Sequence, residues 1–296
     1  MELDKAITLS LGEWNQPVIT RYELGVLVFR IYRAKAFKGA PIEKIPRDIP
    51  SNNELKNIEN RLETIGVIKP EETWYAILGK KNYEPGEIVC SVDPFAYLSH
   101  LSAMEFHGLT DRIPSSLFVS SPDPRNWKNL AKQKMEKDYE ELYQDYISSY
   151  LPKLSRPSFN KIGKYQVDIY SSKHVGAGDF RNVSEKTLRV ATIGRVFLDM
   201  VREPIRCGGI RHVIDVYKNH GPQYKNLIID ELDQHGNKIE KVRVGYLLEE
   251  ICKLKDERIE RWLSFVERGG SRKLDPAAEY RPVYSVRWCL SINVDL

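Results

Sequence analysis

Two histidines and two serines lie close together within residues 97–111 and form the most reactive combination in the chain. His100 and His107 are seven residues apart, so a helix would place them on one side, and Ser99 and Ser102 flank His100. Serine and histidine perform nucleophilic catalysis when a carboxylate orients the histidine, and two histidines bind a metal ion when a third ligand joins them. The chemistry of this segment therefore decides between an enzyme and a binding protein.

The rest of the segment completes neither kind of site. No further metal ligand has a suitable spacing from the histidines, and no strand-to-turn nucleophile elbow surrounds the serines. We predict instead a helix that ends at Gly108, with His107 packed at that end and apolar residues that anchor the helix in a core. Those core residues are Leu98, Leu101, Met104 and Phe106. We expect no catalytic residue, no metal site and no cofactor.

A second combination would suit a metal-dependent nuclease. Asp168, Glu185 and Lys186 supply the carboxylates and the cation of such a site. They lack the carboxylate-x-lysine pair that a nuclease carries on a following strand. A dinucleotide-binding loop is also not indicated, because the glycines at 176–178 are followed neither by a third glycine nor by a helix. We therefore expect a non-enzymatic protein and keep the nuclease as the alternative.

The composition indicates a folded protein without a membrane segment. The 296 residues are 42% hydrophobic and 29% charged, and no apolar run reaches the roughly 18 residues of a membrane helix. The charged N-terminus is not followed by an apolar segment, and the four cysteines stand alone, which predicts reduced thiols in a cytoplasmic protein. The net charge of +4 is too small to argue for nucleic-acid binding by itself.

The N-terminal elements follow one another in the order of a winged helix-turn-helix. A predicted helix at residues 21–36 leads through a basic connector to a second helix at residues 52–65. Ser51 and Glu54 have the spacing of a capping box at the start of this second helix. The two short strands of a predicted hairpin follow, at residues 67–69 and 73–81.

The second helix has an unusual solvent side. Its apolar residues recur at helical spacing and are predicted to face a core; they are Leu55, Ile58, Leu62 and Ile65. The opposite side carries three asparagines, a lysine and a threonine, although asparagine is a poor helix former. Asparagine pairs bidentately with adenine in the major groove, and lysine reaches guanine or phosphate. We therefore predict a recognition helix for DNA; the alternative is a small α+β module that binds protein.

The predicted DNA contacts fall into two groups. Base edges are expected to be read by Asn53, Lys56, Asn57 and Asn60. Phosphates are expected to meet Arg47, Ser51, Arg61, Lys69, Lys80 and Lys81. A separate basic group near the C-terminus is predicted to contact a partner or a second stretch of DNA. It consists of Arg258, Arg261, Arg268, Arg272 and Lys273.

A domain boundary is predicted near residues 82–94, where turn-forming residues accumulate. We predict an α+β fold with a winged helix-turn-helix domain at residues 1–90 and a larger mixed α/β domain at residues 91–296. The larger domain has predicted helices at residues 127–150, 189–201, 212–220, 243–254 and 258–267. Its predicted strands lie at residues 116–120, 165–170 and 284–294. Four tyrosines along one side of the first of these helices are interpreted as packing residues.

Three segments resemble the AbiEi family of antitoxins, which belong to type IV toxin–antitoxin, or abortive-infection, systems. The first is residues 97–113, which contains both histidines and the glycine after them. The second, residues 190–210, has the arginine, the Leu-Asp pair, the proline and the Gly-Gly pair of the family. The third is residues 244–249. The segments occur in the family's order, and none of them is a catalytic motif.

The resemblance implies a non-enzymatic antitoxin with two roles. Its N-terminal winged helix would bind inverted repeats in operator DNA, with two copies per operator, and repress its own operon. Its C-terminal domain would neutralise a nucleotidyltransferase-like toxin without lasting direct contact. Two alternatives remain open: a metal-dependent nuclease of a phage-defence system, and a protein-interaction module that does not bind DNA.

Overall fold

The structure is a computed structural model that describes residues 1–80, 83–173, 179–267 and 272–295, and its fold is mixed α+β. The helices are α1 (Leu3–Gly12), α2 (Arg21–Ala34), α3 (Asn52–Thr64), α4 (Pro85–Val92), α5 (His100–Phe106), α6 (Pro124–Tyr139), α7 (Tyr143–Ser148), α8 (Ile193–Arg202), α9 (Ile210–His235), α10 (Lys238–Tyr246) and α11 (Glu257–Arg261). The strands are β1 (Val18–Thr20), β2 (Ala36–Phe37), β3 (Ala40–Pro41), β4 (Ile68–Pro70), β5 (Trp74–Ile77), β6 (Tyr97–Leu98), β7 (Ser116–Pro122), β8 (Lys161–Ile162), β9 (Tyr165–Ser172), β10 (Phe180–Asn182), β11 (Arg189–Ala191), β12 (Tyr284–Ser285) and β13 (Leu290–Ser291).

Three helices and a three-stranded sheet form the N-terminal part. β5 lies between β1 and β4 and pairs antiparallel with both, so that Ile19 is opposite Tyr75 and Lys69 is opposite Ala76. α1, α2 and α3 each bury one apolar side in a shared core. The predicted second helix and hairpin are therefore present, whereas α1 and β1 are additional elements that the sequence patterns did not predict.

An aromatic cluster joins this core to α6 and α7. The rings of Tyr139 and Tyr146 stack with their centroids 3.9 Å apart, and Tyr22 and Phe29 of α2 meet both rings edge-on. The interpretation as packing residues is confirmed for Tyr139 and Tyr146, and Tyr143 is partly buried against the same core. It is wrong for Tyr150, which is 87% exposed. The predicted single helix over residues 127–150 is wrong, because Glu140 adopts a φ of 49° and separates α6 from α7.

A six-stranded mixed sheet organises the C-terminal part, in the order β10-β11-β6-β7-β9-β8. β7 and β9 run parallel, with Val119 opposite Ile169, while β6 is antiparallel to β7 and parallel to β11. α8 packs closely against α9 because Gly194 has no side chain. A Cβ atom there would stand 2.5 Å from the carbonyl oxygen of Leu227. This close approach places the polar residues of α8 directly against α9.

Several elements of the C-terminal part differ from their predicted bounds. The predicted helix at 189–201 begins as strand β11, because the Thr192 side chain caps α8 by accepting the backbone N–H of Arg195. The segment from residue 97 begins as strand β6 and continues as α5 to a turn at Gly108, whose φ of 65° favours glycine. The predicted strand at 284–294 is a hairpin of β12 and β13.

The remaining predicted helices are present with shifted ends. The helix predicted at 212–220 is part of the longer α9, and the one predicted at 243–254 is the end of α10 followed by a π-helical turn, Leu247–Ile251. The helix predicted at 258–267 corresponds to α11 and the 3₁₀ segment Trp262–Phe265. Across the ranges described above, no helix is both long enough and apolar enough to cross a membrane.

Candidate nucleic-acid interface

Ser51 fixes the start of α3 through a capping box. Its hydroxyl donates to a Glu54 carboxylate oxygen at 2.7 Å and accepts the Glu54 backbone N–H at 3.2 Å, while its own N–H donates to the same carboxylate. Burial alone would raise the pKa of Glu54, but these hydrogen bonds outweigh it and lower the pKa. The predicted capping spacing is confirmed, and the Ser51 hydroxyl is already used within the helix.

The two sides of α3 differ as the spacing predicts. Leu55, Ile58 and Leu62 are almost fully buried in the N-terminal core. The four residues predicted to read bases are all exposed; they are Asn53, Lys56, Asn57 and Asn60. Ile65 is 59% exposed and is not the core residue predicted, because it follows the last helical residue as the C-cap.

A buried carboxylate locks α3 against the start of α2. Glu59 has an 8% exposed side chain and accepts a hydrogen bond from the Arg21 Nε at 2.8 Å. This hydrogen bond raises the pKa of Arg21. Sequence spacing could not reveal the pair, since its members are 38 residues apart. The contact holds the solvent side of α3 at a fixed angle to α2.

Two of the predicted phosphate contacts have structural roles. Arg61 forms two hydrogen bonds with Asp4 of α1, at 2.7 and 2.9 Å. Lys80 donates to the carbonyl oxygens of Gly12 and Trp14, at 3.0 and 2.5 Å. Both cations therefore attach α1 to the rest of the N-terminal part, and a phosphate would have to displace two hydrogen bonds at each of them.

Arg47 and Lys69 are better placed to meet a phosphate. Arg47 lies 3.6 Å from Glu54 and Lys69 lies 3.1 Å from Glu71, and their side chains are 59% and 64% exposed. Exposed ion pairs of this kind contribute only about 0.2–1 kcal/mol, so a phosphate can replace the carboxylate at small cost. Lys81, the last predicted contact, lies outside the described residues.

The exposed side of α3 can recognise bases through its three amides. Each asparagine amide offers two donors and an acceptor, which is the pattern that pairs with the adenine edge. Lys56 adds one cation, which forms no ion pair with any residue in the described ranges. The turn between β4 and β5 carries Glu71 and Glu72, both exposed, and would repel a phosphate backbone. Of the predicted DNA contacts, those on α3 therefore have the most suitable side chains and exposure.

The basic residues near the C-terminus are mostly bonded within the chain. Arg258 contacts Asp230 at 2.5 Å, Arg272 contacts Glu267 at 2.6 Å, and the Lys273 ammonium donates to a backbone carbonyl. Arg261 is exposed and has no ion-pair partner among the described residues. Arg268 lies outside the described ranges. The predicted partner or second DNA contact stays a prediction, and Arg261 is its most available cation.

The histidines of α5 hold the helix in place. The Ser99 hydroxyl lies 2.8 Å from the His100 Nδ1, and both residues are buried. Burial lowers the pKa of His100. His107 Nε2 lies 2.7 Å from the carbonyl oxygen of Ala191 and ties the end of α5 to β11. The prediction that His107 packs at the helix end is confirmed, but Phe106 is 38% exposed and is not a core residue.

The residues of the alternative nuclease site are not brought together. Asp168 on β9 pairs with Arg206, whereas Lys186 pairs with Glu84 at 2.6 Å. Glu185 and Lys186 lie in the turn between β10 and β11, and three strand spacings of about 4.8 Å each separate β11 from β9. A separation of about 14 Å is too large for one metal centre.

Comparisons with known proteins leave the family open. No protein-family model matches this chain, and no curated protein sequence matches it either. Among solved structures, the chain is similar to the RV2827C protein from Mycobacterium tuberculosis, at 12% sequence identity and a TM-score of 0.49. That similarity covers 97% of this chain and 89% of the other.

Proposed function

We propose that this protein binds DNA through α3 and acts as the autorepressing antitoxin of a type IV toxin–antitoxin system. In this proposal residues 1–90 form a winged helix-turn-helix. The order α1-β1-α2-α3-β4-β5 supports the assignment, as does the antiparallel sheet in which β5 pairs with both β1 and β4. α3 then takes the place of the recognition helix in the major groove.

The observation that carries the proposal is the exposed asparagine and lysine side of α3. A helix face that only meets water gains nothing from three asparagines, which lower helix propensity. The same face gains about 1–3 kcal/mol of discrimination from each bidentate contact with a base. The capping box and the Arg21–Glu59 pair hold the backbone of α3 in place, so little backbone freedom is lost on binding.

The antitoxin role rests on the resemblance of the three segments to AbiEi proteins. Two glycines in these segments also permit close packing of helices. Gly194 permits the contact between α8 and α9, and Gly245 permits the contact of α10 with Trp288, since a Cβ there would stand 2.2 Å from the ring. The proposed partner is a nucleotidyltransferase-like toxin encoded beside this gene, and the proposed operator has inverted repeats that two copies occupy.

A gel-shift titration tests the DNA-binding role. The probe is the duplex upstream of this protein's own coding sequence, with a scrambled duplex of the same length as competitor. We expect Asn57→Ala and Lys56→Ala to weaken binding, and binding of the wild type to fall steeply with salt. The matched control is Asn219→Ala, which removes an exposed helical asparagine from α9. Wild-type affinity in both α3 variants contradicts the recognition-helix assignment.

Two further assays separate the alternatives. Co-expression with the adjacent toxin gene tests neutralisation, and we expect the full chain to restore growth. Incubation with DNA or RNA and Mg²⁺ tests the nuclease, and cleavage that Asp168→Ala abolishes would replace our proposal with an enzyme. A stable complex with the toxin, without any DNA affinity, would indicate the protein-interaction module.

A further inference from the structure

A buried guanidinium at the start of α8 is surrounded by three carboxylates. Arg195 has a 3% exposed side chain and lies 2.7 Å from Asp179, 3.1 Å from Asp199 and 3.6 Å from Glu231. The carboxylates come from three places in the chain: the residue before β10, α8 itself, and α9. Gly194 makes the meeting possible because it lets α8 approach the α9 backbone.

Unpartnered polar atoms gather around this arginine. In the described part of the chain, the buried side-chain atoms without a hydrogen-bond partner include Tyr97 Oη, His100 Nε2, Asp199 Oδ2 and Glu231 Oε1. All four residues lie within electrostatic reach of Arg195. Buried polar groups in folded proteins are nearly always hydrogen-bonded, so these atoms can accept or donate one further contact each.

Carboxylates outnumber cations among the described members of the cluster. Asp179, Asp199 and Glu231 all contact the single guanidinium of Arg195. A divalent cation held by Asp179 and Glu231 would bring further positive charge to these carboxylates.

Three metal-ligand side chains converge beside Arg195. One ligand atom each from Asp179, Glu231 and His235 lies within 4.8 Å of the other two. Glu231 and His235 are four residues apart, on one side of α9. Ligands bonded at about 2.0–2.2 Å lie roughly 3–4 Å from one another, so small side-chain rotations bring the three into bonding range.

We propose that Asp179, Glu231 and His235 bind a divalent transition-metal ion. Glu231 Oε1 and Asp199 Oδ2 are buried and have no hydrogen-bond partner among the described residues, so the first can bind the ion and the second can accept a hydrogen bond from a metal-bound water. One nitrogen and two carboxylate ligands favour Mn²⁺ or Zn²⁺ over Mg²⁺, which prefers oxygen ligands and retains its waters. This revises our expectation that the chain has no metal site.

The ion has a route in from solvent. A cavity of about 550 Å³ opens beside the cluster, and Arg195 and His235 line its wall. The wall also carries two carboxylates, Glu203 and Glu240, and three further cations, Lys173, Arg202 and Arg243. His235 is exposed, so it offers the first contact to an entering ion, and the buried Asp179 offers the last. A bound ion would tie the C-terminal end of α9 to the start of β10 and stabilise the C-terminal part. The site is independent of the DNA-binding role proposed for α3.

Calorimetric titration of the EDTA-treated full chain with Mn²⁺, Zn²⁺ or Mg²⁺ tests the site. The electron paramagnetic resonance signal of free Mn²⁺ independently measures how many Mn²⁺ ions each chain binds. We expect one Mn²⁺ or Zn²⁺ per chain, a raised Tm, and much weaker Mg²⁺ binding. His235→Ala and Glu231→Gln should each weaken metal binding by about 10- to 100-fold or more. In metalloproteins, changing even a residue that only hydrogen-bonds to a metal ligand typically lowers metal affinity by this factor. The matched control is His220→Ala, which removes another α9 histidine and should leave binding unchanged.

Two results would overturn the proposal. One is the absence of Mn²⁺ and Zn²⁺ binding by a folded wild-type chain. The other is wild-type binding by both His235→Ala and Glu231→Gln, which would place the ion elsewhere. Because His235 is exposed and glutamine preserves the shape of Glu231, circular dichroism should show both variants folded.

Discussion

Arg195→Met removes the guanidinium that holds three buried carboxylates together. The side chain is 3% exposed and makes its closest contacts with Asp179 and Asp199, while Glu231 lies slightly farther away. Methionine is flexible and of comparable length, so the substitution removes charge and hydrogen bonds while leaving little empty space. The buried carboxylates of Asp199 and Glu231 then lose their contact with this cation.

The expected loss of stability is large. Removing one partner of a buried ion pair costs about 3–5 kcal/mol, because the other charge stays desolvated. Domains typically have unfolding free energies of roughly 5–15 kcal/mol, so the substitution removes a substantial fraction of the total. At about 2–4 °C per kcal/mol for a domain of this size class, Tm should fall by roughly 6–20 °C.

Urea unfolding at pH 7, followed by tryptophan fluorescence with a chelator present, measures this loss. The control is Arg261→Met, which changes an exposed arginine and should shift the unfolding free energy by less than about 0.5 kcal/mol. Burial raises the pKa of Glu231 and Arg195 lowers it, so the loss of Arg195 should raise the pKa of Glu231 further in the folded state. The folded state then binds protons more tightly than the unfolded chain, so the deficit relative to wild type shrinks as the pH falls towards about 5. A deficit below about 1 kcal/mol, or one that stays constant with pH, would refute the reasoning.

Three smaller changes test other contacts by the same unfolding measurement. Gly245→Ala should lose about 1–3 kcal/mol, because its Cβ would stand 2.2 Å from the Trp288 ring. Gly12→Ala should instead raise the unfolding free energy by about 0.4–1 kcal/mol, because nothing lies within 4 Å of the added Cβ and alanine restricts the unfolded chain. A lower unfolding free energy would contradict the open geometry at the end of α1. Ser51→Ala should cost about 1 kcal/mol at pH 7. That cost should shrink near pH 3, because the pKa of Glu54 is lowered in the folded state and the hydrogen bond from the Ser51 hydroxyl to the Glu54 carboxylate weakens as Glu54 is protonated. The bond from the Glu54 backbone N–H to the Ser51 oxygen remains. An equal cost at both pH values would contradict the role of the ionised carboxylate.

Local patterns were sufficient to predict the candidate interface. The spacing of Leu55, Ile58 and Leu62 correctly predicted the buried side of α3, and the spacing of Ser51 and Glu54 correctly predicted where the helix begins. The exposure of the asparagines follows from the same periodicity, since residues three and four apart share a helix side. These features depend on neighbours within one or two helical turns, which a sequence displays directly.

Contacts between distant residues were not predictable in this way. Arg61 and Lys80 looked like free cations, but tertiary packing brings Asp4 to one of them and the end of α1 to the other. The buried network around Arg195 joins α8, α9 and the residue before β10, so no local sequence pattern reveals it. The break at Glu140 escaped prediction because the residues around it favour helix, and only its left-handed φ shows the interruption.

The most direct test of the central claim is the ratio of specific to non-specific DNA affinity at one fixed salt concentration. The wild type, Asn57→Ala and the control Asn219→Ala are titrated with the upstream duplex and with its scrambled counterpart. A base contact by Asn57 contributes about 1–3 kcal/mol, so its loss should lower the ratio by about 5- to 150-fold and leave scrambled-duplex affinity unchanged. An unchanged ratio for Asn57→Ala, or an equal fall for Asn219→Ala, would contradict recognition by α3.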